Sequence, residues 1–202
     1  MNAKLLLPAL LISCALSAQE IRQVPVTIED IQSVLVAAGY NSYSFDISAF
    51  EGEDWDLSVV YRIYEHGKKV DGTTLTSFTS RKSSSKVLIS TLPSPADSLA
   101  RLYVSVPGVG HGARNLKLYP LVFPQDPRPR YMYQARPFKP SAPDRNATEG
   151  FIPLLLYGSG WMEEEIGAIR FCGEREVDPD MSSEILKNLP QYYVFGLKYV
   201  KR

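Results

Sequence analysis

A chain of 202 residues with 22 basic and 22 acidic side chains has no basic excess to meet a nucleic-acid backbone and no acidic tail. With 45% hydrophobic residues it is not a largely disordered polymer. Its length suits one domain with a sizeable core, or at most two small ones.

Lys4 precedes an apolar run over 5–12, and small residues follow. This is the layout of a bacterial secretory signal, too short to span a bilayer, which takes about 20 apolar residues. Two cleavage routes compete. Leu11-Ile12-Ser13-Cys14 resembles a lipobox, whose Cys is acylated and becomes the new N-terminus. Ala15-Leu16-Ser17-Ala18 keeps the apolar, small character past Cys14, whereas a lipoprotein tether turns polar at once. Cutting near Ala18 instead starts the mature chain at Gln19-Glu20. The expectation is a signal over 1–18 and an exported product in the periplasm or at the outer membrane or surface of a Gram-negative bacterium. A lipid anchor at Cys14 is the alternative, and the only route to a membrane. Cys172 is then the one thiol left in the folded part, so no intramolecular disulfide is expected.

Residues 19–202 read as one domain. Thr27 is placed to cap a helix, with Glu29 and Asp30 at its positive end. Ile28, Ile31, Val34, Leu35 and Ala38 share one face, and Gly39 is a stop. From Tyr43 onward the period is two. Tyr43, Phe45, Ile47 and Ala49 alternate with polar residues, as do Leu57, Val59, Tyr61 and Ile63, before a turn at Glu65-His66-Gly67-Lys68. Further strand-like runs cover 73–79, 86–92, 102–106, 116–123, 131–138, 151–157, 166–172 and 192–200. In the last run Tyr193, Phe195, Leu197 and Tyr199 share a face, which suggests a central strand. A short helical turn is expected around 182–189, capped by Ser182 or Ser183 and stopped by Pro190. Six prolines between Pro124 and Pro143 are compatible with an edge strand over 131–138. The pattern predicts a mainly β chain, an antiparallel β-sandwich or jelly-roll-like domain with one N-terminal helix.

Catalytic motifs are scarce. His66 and His111 sit in glycine-flanked turns with no His or Cys at metal-ligand spacing, so no metal is assigned. Gly108-Val109-Gly110-His111-Gly112 leads into a strand, not the helix a phosphate loop needs. Cys172 ends an apolar run, where a buried inert thiol is the default. No cofactor motif and no catalytic residue is assigned. Carboxylates gather at Glu51, Glu53, Asp54 and Asp56; at Glu163-Glu164-Glu165; and at Glu174, Glu176, Asp178 and Asp180. Solvated loops with local ion pairs explain such groups, and Asp178 with Asp180 is the choice if one holds calcium. Trp55 and Trp161 each stand beside carboxylates. A ring with acidic neighbours suits a sugar, whose apolar face stacks while its hydroxyls donate. Trp55, Trp161, Glu163, Tyr131 and Tyr133 are therefore the candidate ligand-binding residues, against the competing reading that each Trp fills the core at a strand end.

The most distinctive text is Pro153-Leu154-Leu155-Leu156-Tyr157-Gly158-Ser159, Ile169-Arg170-Phe171-Cys172-Gly173-Glu174 and Asp178-Pro179-Asp180-Met181-Ser182-Ser183-Glu184-Ile185. With the export signal, Ala38-Gly39-Tyr40 and Phe45-Asp46, the chain resembles a family of exported proteins of about this length from Gram-negative gut anaerobes, classed as a domain of unknown function. The resemblance implies an extracytoplasmic place and brings no activity with it.

The function expected from these readings is a non-catalytic envelope binding or interaction protein, with a glycan or another envelope protein as partner. The alternatives are a glycosidase-like hydrolase with two carboxylates on one cleft and a subunit of a surface assembly that pairs through the edge strand over 131–138.

Overall fold

The computed structural model describes residue 23 and residues 25–82, 85–92, 94, 96–123, 126–163, 165–171 and 173–202. The signal with Cys14, and Cys172, lie outside the described residues.

Thr27 opens α1 (Ile28–Ala37) with a reciprocal cap. Its hydroxyl accepts from the Asp30 backbone N–H, and the Asp30 carboxylate accepts from the Thr27 backbone N–H at 2.8 Å. Two donors that a helix start leaves open are thus satisfied. Gly39, at φ 87°, ends it in the left-handed region. The apolar stripe lies where the spacing puts it, yet it does not face the core. Ile28 and Val34 are 75% and 67% exposed, and no helix residue is buried.

Thirteen strands follow among the described residues. β1 (Asn41–Asp46), β4 (Lys86–Leu92), β5 (Leu99–Val106) and β6 (Gly110–Lys117) form a four-stranded sheet in the order β1-β4-β5-β6. β2 (Trp55–Glu65), β3 (Lys68–Thr79), β9 (Tyr133–Pro137), β10 (Glu149–Ser159) and β13 (Gln191–Lys201) form a five-stranded sheet in the order β3-β2-β13-β10-β9. Two ribbons complete the set: β7 (Leu121–Phe123) with β8 (Asp126–Arg130), and β11 (Trp161–Glu163) with β12 (Ala168–Arg170). All pairings between named strands are antiparallel.

One apolar cluster joins the two large sheets into a sandwich. Val87, Ile89, Leu102 and Val104 from the first sheet meet Leu57, Val59, Leu155 and Phe195 from the second. Period two decides which residues enter it. Along β13, Tyr193, Phe195, Leu197 and Tyr199 point inward and none is more than 4% exposed. β13 lies between β2 and β10, the central position its alternation suggested. The hairpin from β2 to β3 turns on His66 (φ 47°) and Gly67 (φ 75°), the two positive φ values a tight two-residue turn requires.

The segment after β12 folds back over one half of the outer face of the five-stranded sheet. Phe138, Val177 and the short α2 (Ile185–Asn188) with Leu189 bury Tyr192, Val194 and Leu156 there. Three expectations need correction. The run over 116–123 is two strands, because Pro120, which has no N–H for a ladder, lies between β6 and β7. The run over 166–172 shortens to β12, whose partner β11 carries Trp161. Neither serine caps α2: Ser183 accepts from the Asp178 backbone N–H and donates to its carboxylate, and Ser182 donates to Asp180. The stretch over 131–138 does form an edge strand, β9.

Candidate functional site

The sandwich is open where β1 and β9, the edge strands of its two sheets, lie on the same side. A cleft of about 790 Å³ is lined there by Asn41 and Tyr43 of β1, Tyr133 and Gln134 of β9 and Tyr157 of β10. Tyr131, Arg130 and Asp97 are also among its lining. Four phenol rings thus converge from three separate stretches of chain. Tyr133 and Tyr157 lie with ring centroids 5.1 Å apart at 32°.

The tyrosines do not play the same part. The Tyr133 hydroxyl accepts from the Tyr119 backbone N–H at 2.8 Å and donates to Gln191 Oε1 at 2.6 Å. Gln191 in turn donates to Glu65 Oε1 and, through its backbone N–H, to Ser159 Oγ. That chain locks one ring in place. Among the described residues, no hydrogen bond to the hydroxyls of Tyr43, Tyr131 or Tyr157 exists. Burial pushes the Tyr157 phenol up to about 12, with Tyr43 adding a smaller effect. Burial likewise raises Tyr43, and raises Tyr133 well above the ordinary phenol range against the opposing Tyr119 bond. Each stays protonated at neutral pH, so each O–H both donates and accepts.

Of the residues singled out from sequence, Tyr131 and Tyr133 reach this cleft. Trp55 does not. It is 1% exposed, with Phe50 at 5.9 Å and Tyr199 at 5.4 Å, both edge-on. As the first residue of β2 it points into the core, so its face is closed to any sugar. Trp161 is half-buried and packs against the outer-face cluster of Phe138, Leu156 and Ile185. Its close neighbours form a seam with only about 10 Å³ of free space. Glu163, on the same ribbon, pairs with Arg170 at 2.9 Å. These two are therefore remote in role from the tyrosine cleft, and the sequence neighbours that made them attractive serve the ribbon.

Several of the acidic side chains are paired within the chain. Glu53 meets Arg145 at 2.8 Å and Lys201 at 3.1 Å, Asp54 meets Arg81 at 3.3 Å, and Asp56 meets Arg202 at 2.7 Å. The Lys201 bond, more than any other contact, holds the Glu53 carboxyl below its usual range. Asp178 pairs with Lys139, and Asp180 is spent on Ser182. Among the described residues no group of three His, Cys, Asp or Glu converges as a metal site. His66 and His111 are exposed, beside Tyr119 and Tyr103 respectively. No helix among the described residues is long and apolar enough to cross a membrane.

Sequence reasoning missed Tyr43, Tyr157, Asn41, Asp97 and Gln134. Tyr43 and Tyr157 alternate in phase with core residues, so nothing local separates a ring in the core from one at its mouth.

Neither curated proteins nor solved structures include a match to this chain. A family model does match, over residues 10–201, and its description is a domain of unknown function (DUF5041). That span takes in every strand of both sheets and the tyrosine cleft, so the chain belongs to the DUF5041 family.

Proposed function

We propose that this protein is an exported, non-catalytic binding module of the cell envelope that takes a glycan in its tyrosine cleft. The observation that carries this reading is the convergence of four phenols with Asn41, Gln134 and Asp97 around one space of about 790 Å³. Sugars present apolar C–H faces and a ring of hydroxyls, which an aromatic lining with a few polar groups matches on both counts. Hydrolysis of a glycosidic bond takes two carboxylates across one cleft, and Asp97 is the single carboxylate among the described residues that line this one. Binding is accordingly favoured over cleavage.

The test is a panel of neutral oligosaccharides against the folded protein by calorimetry. Tyr131→Ala should weaken binding of the best ligand at least tenfold. Trp161→Ala should leave it unchanged, because that ring packs on the other face of the sheet. Equal loss in both variants, or no binding anywhere in the panel, removes the cleft from consideration.

The exported state rests on the signal-like layout over 1–18, with cleavage near Ala18. Mass spectrometry of the protein from its native host should give a mature chain beginning near Gln19. An acylated N-terminal Cys14 would overturn the soluble form and place the sandwich on a lipid anchor instead.

A further inference from the structure

The described residues cover the outer face of the five-stranded sheet over one half only, and the other half carries a second polar groove, of about 870 Å³. Its floor is built around a stack. Gly196 of β13 has no Cβ, and one added there would lie 2.4 Å from both the Phe151 ring and the Ile152 carbonyl oxygen. Glycine therefore lets the Phe151 ring lie down on the sheet. The Arg62 guanidinium sits over that ring, 3.5 Å from its centroid. A guanidinium held flat on an aromatic keeps its N–H edges free for a planar or tetrahedral oxyanion. Among the described residues Arg62 forms no ion pair and donates no hydrogen bond.

Two further cations, Lys69 and Lys198, line the same groove. The carboxylates there are Asp71 and Glu149. Asp71 Oδ1 accepts from the Gly72 backbone N–H at 2.7 Å, while Glu149 stands 4.0 Å from Lys198 Nζ. Both Lys198 and Glu149 are more than half exposed, so that contact is loose and readily exchanged. Both carboxylates are exposed, unlike the buried acid of a glycosidase pair.

We infer that this groove is a second binding site, for an acidic glycan whose carboxylate or sulfate group docks on Arg62 with Lys198 and Lys69 alongside. The glycan character of the ligand rests on the proposed function above; the site and the charge it selects do not.

Affinity electrophoresis in polygalacturonate, dextran sulfate and neutral dextran tests this, and the first two separate carboxylate from sulfate. Wild type should be retarded by at least one polyanion, and more strongly than by dextran. Arg62→Gln should weaken that retardation at least tenfold, Lys198→Gln severalfold, and Arg62→Lys should fall between Arg62→Gln and wild type. Lys86→Gln, which removes an equal charge from the other sheet, should match wild type, and so should Tyr131→Ala. The inference fails if neither polyanion retards the protein, if Arg62→Gln behaves as wild type, or if Lys86→Gln loses as much as Arg62→Gln. Thermal midpoints of the variants, expected to match wild type, separate a lost site from a lost fold. Loss of neutral-sugar binding in Tyr131→Ala with polyanion binding intact keeps the two sites distinct.

Discussion

A chain ending at Leu189 is expected to have no cooperative folded state. The eleven residues of β13 pair along their whole length with β2, from Gln191 opposite Glu65 to Lys201 opposite Trp55, and with β10 on the other side. Without them both partners become bare edges that invite association with other chains. Tyr193, Phe195, Leu197 and Tyr199 leave the core together. Removing a single large buried side chain costs about 2–5 kcal/mol, and a domain holds only about 5–15 kcal/mol in all. The deficit exceeds the reserve. Near-ultraviolet circular dichroism and urea titration of the truncated chain should show no native tertiary signal and no sigmoidal transition. A soluble truncated chain that unfolds cooperatively would sink this account of β13.

Trp55→Ala is expected to destabilise the protein by about 3–5 kcal/mol, the range for emptying a large aromatic site. The indole is 1% exposed and meets Phe50 and Tyr199 edge-on, so no solvent-filled side takes up the lost volume. Lys201 Nζ lies 5.3 Å from the indole, adding a cation contact that alanine also loses. Trp55→Phe keeps the ring character and should recover part of the loss. Urea midpoints with matched slopes measure both. A Trp55→Ala protein within 1 kcal/mol of wild type is incompatible with this packing.

The architecture was legible because period-two alternation is a burial signal, and burial is what a sandwich imposes. β4 and β13 are found almost where their alternation places them, and the two-residue turn at His66-Gly67 follows from residues that tolerate positive φ. Failure came where a local signal has two physical outcomes. The stripe Ile28, Ile31, Val34 and Leu35 has the spacing of a core-facing helix, and its cap formed as Thr27 suggested, yet none of its residues is buried. Periodicity fixes which residues share a face; it does not say that a neighbour arrives. Trp55 and Trp161 stand beside acids in much the same way, but strand register sends one into the core and the other onto the outer cluster.

The site was legible only in part, since a cleft between two sheets is made by chain segments with no sequence relation. Tyr131 and Tyr133 were visible as a local pair, whereas Tyr43 and Tyr157 become their neighbours only once both sheets exist. Charge behaved similarly. Arg128, Arg130, Arg136, Lys139 and Arg145 gather in one stretch of the sequence, apart from the three acidic clusters. Folding joins them instead: Arg145 reaches Glu53, Lys139 reaches Asp178, and Arg136 donates to the backbone carbonyls of Phe171 and Glu174. Overall neutrality is thus partly a set of long-range internal pairs.

The place of β13 also sets a timetable. Of the named strands, the one at the middle of the larger sheet is the last to be synthesised, and its partner β2 is among the first. The larger sheet cannot close until β13 has been made, so the early strands wait with their apolar faces uncovered. Contacts between chain positions so far apart form slowly, because loop closure precedes any gain from pairing. Closure of the larger sheet therefore waits for β13, and until that strand is made the chain is a substrate for chaperones and proteases.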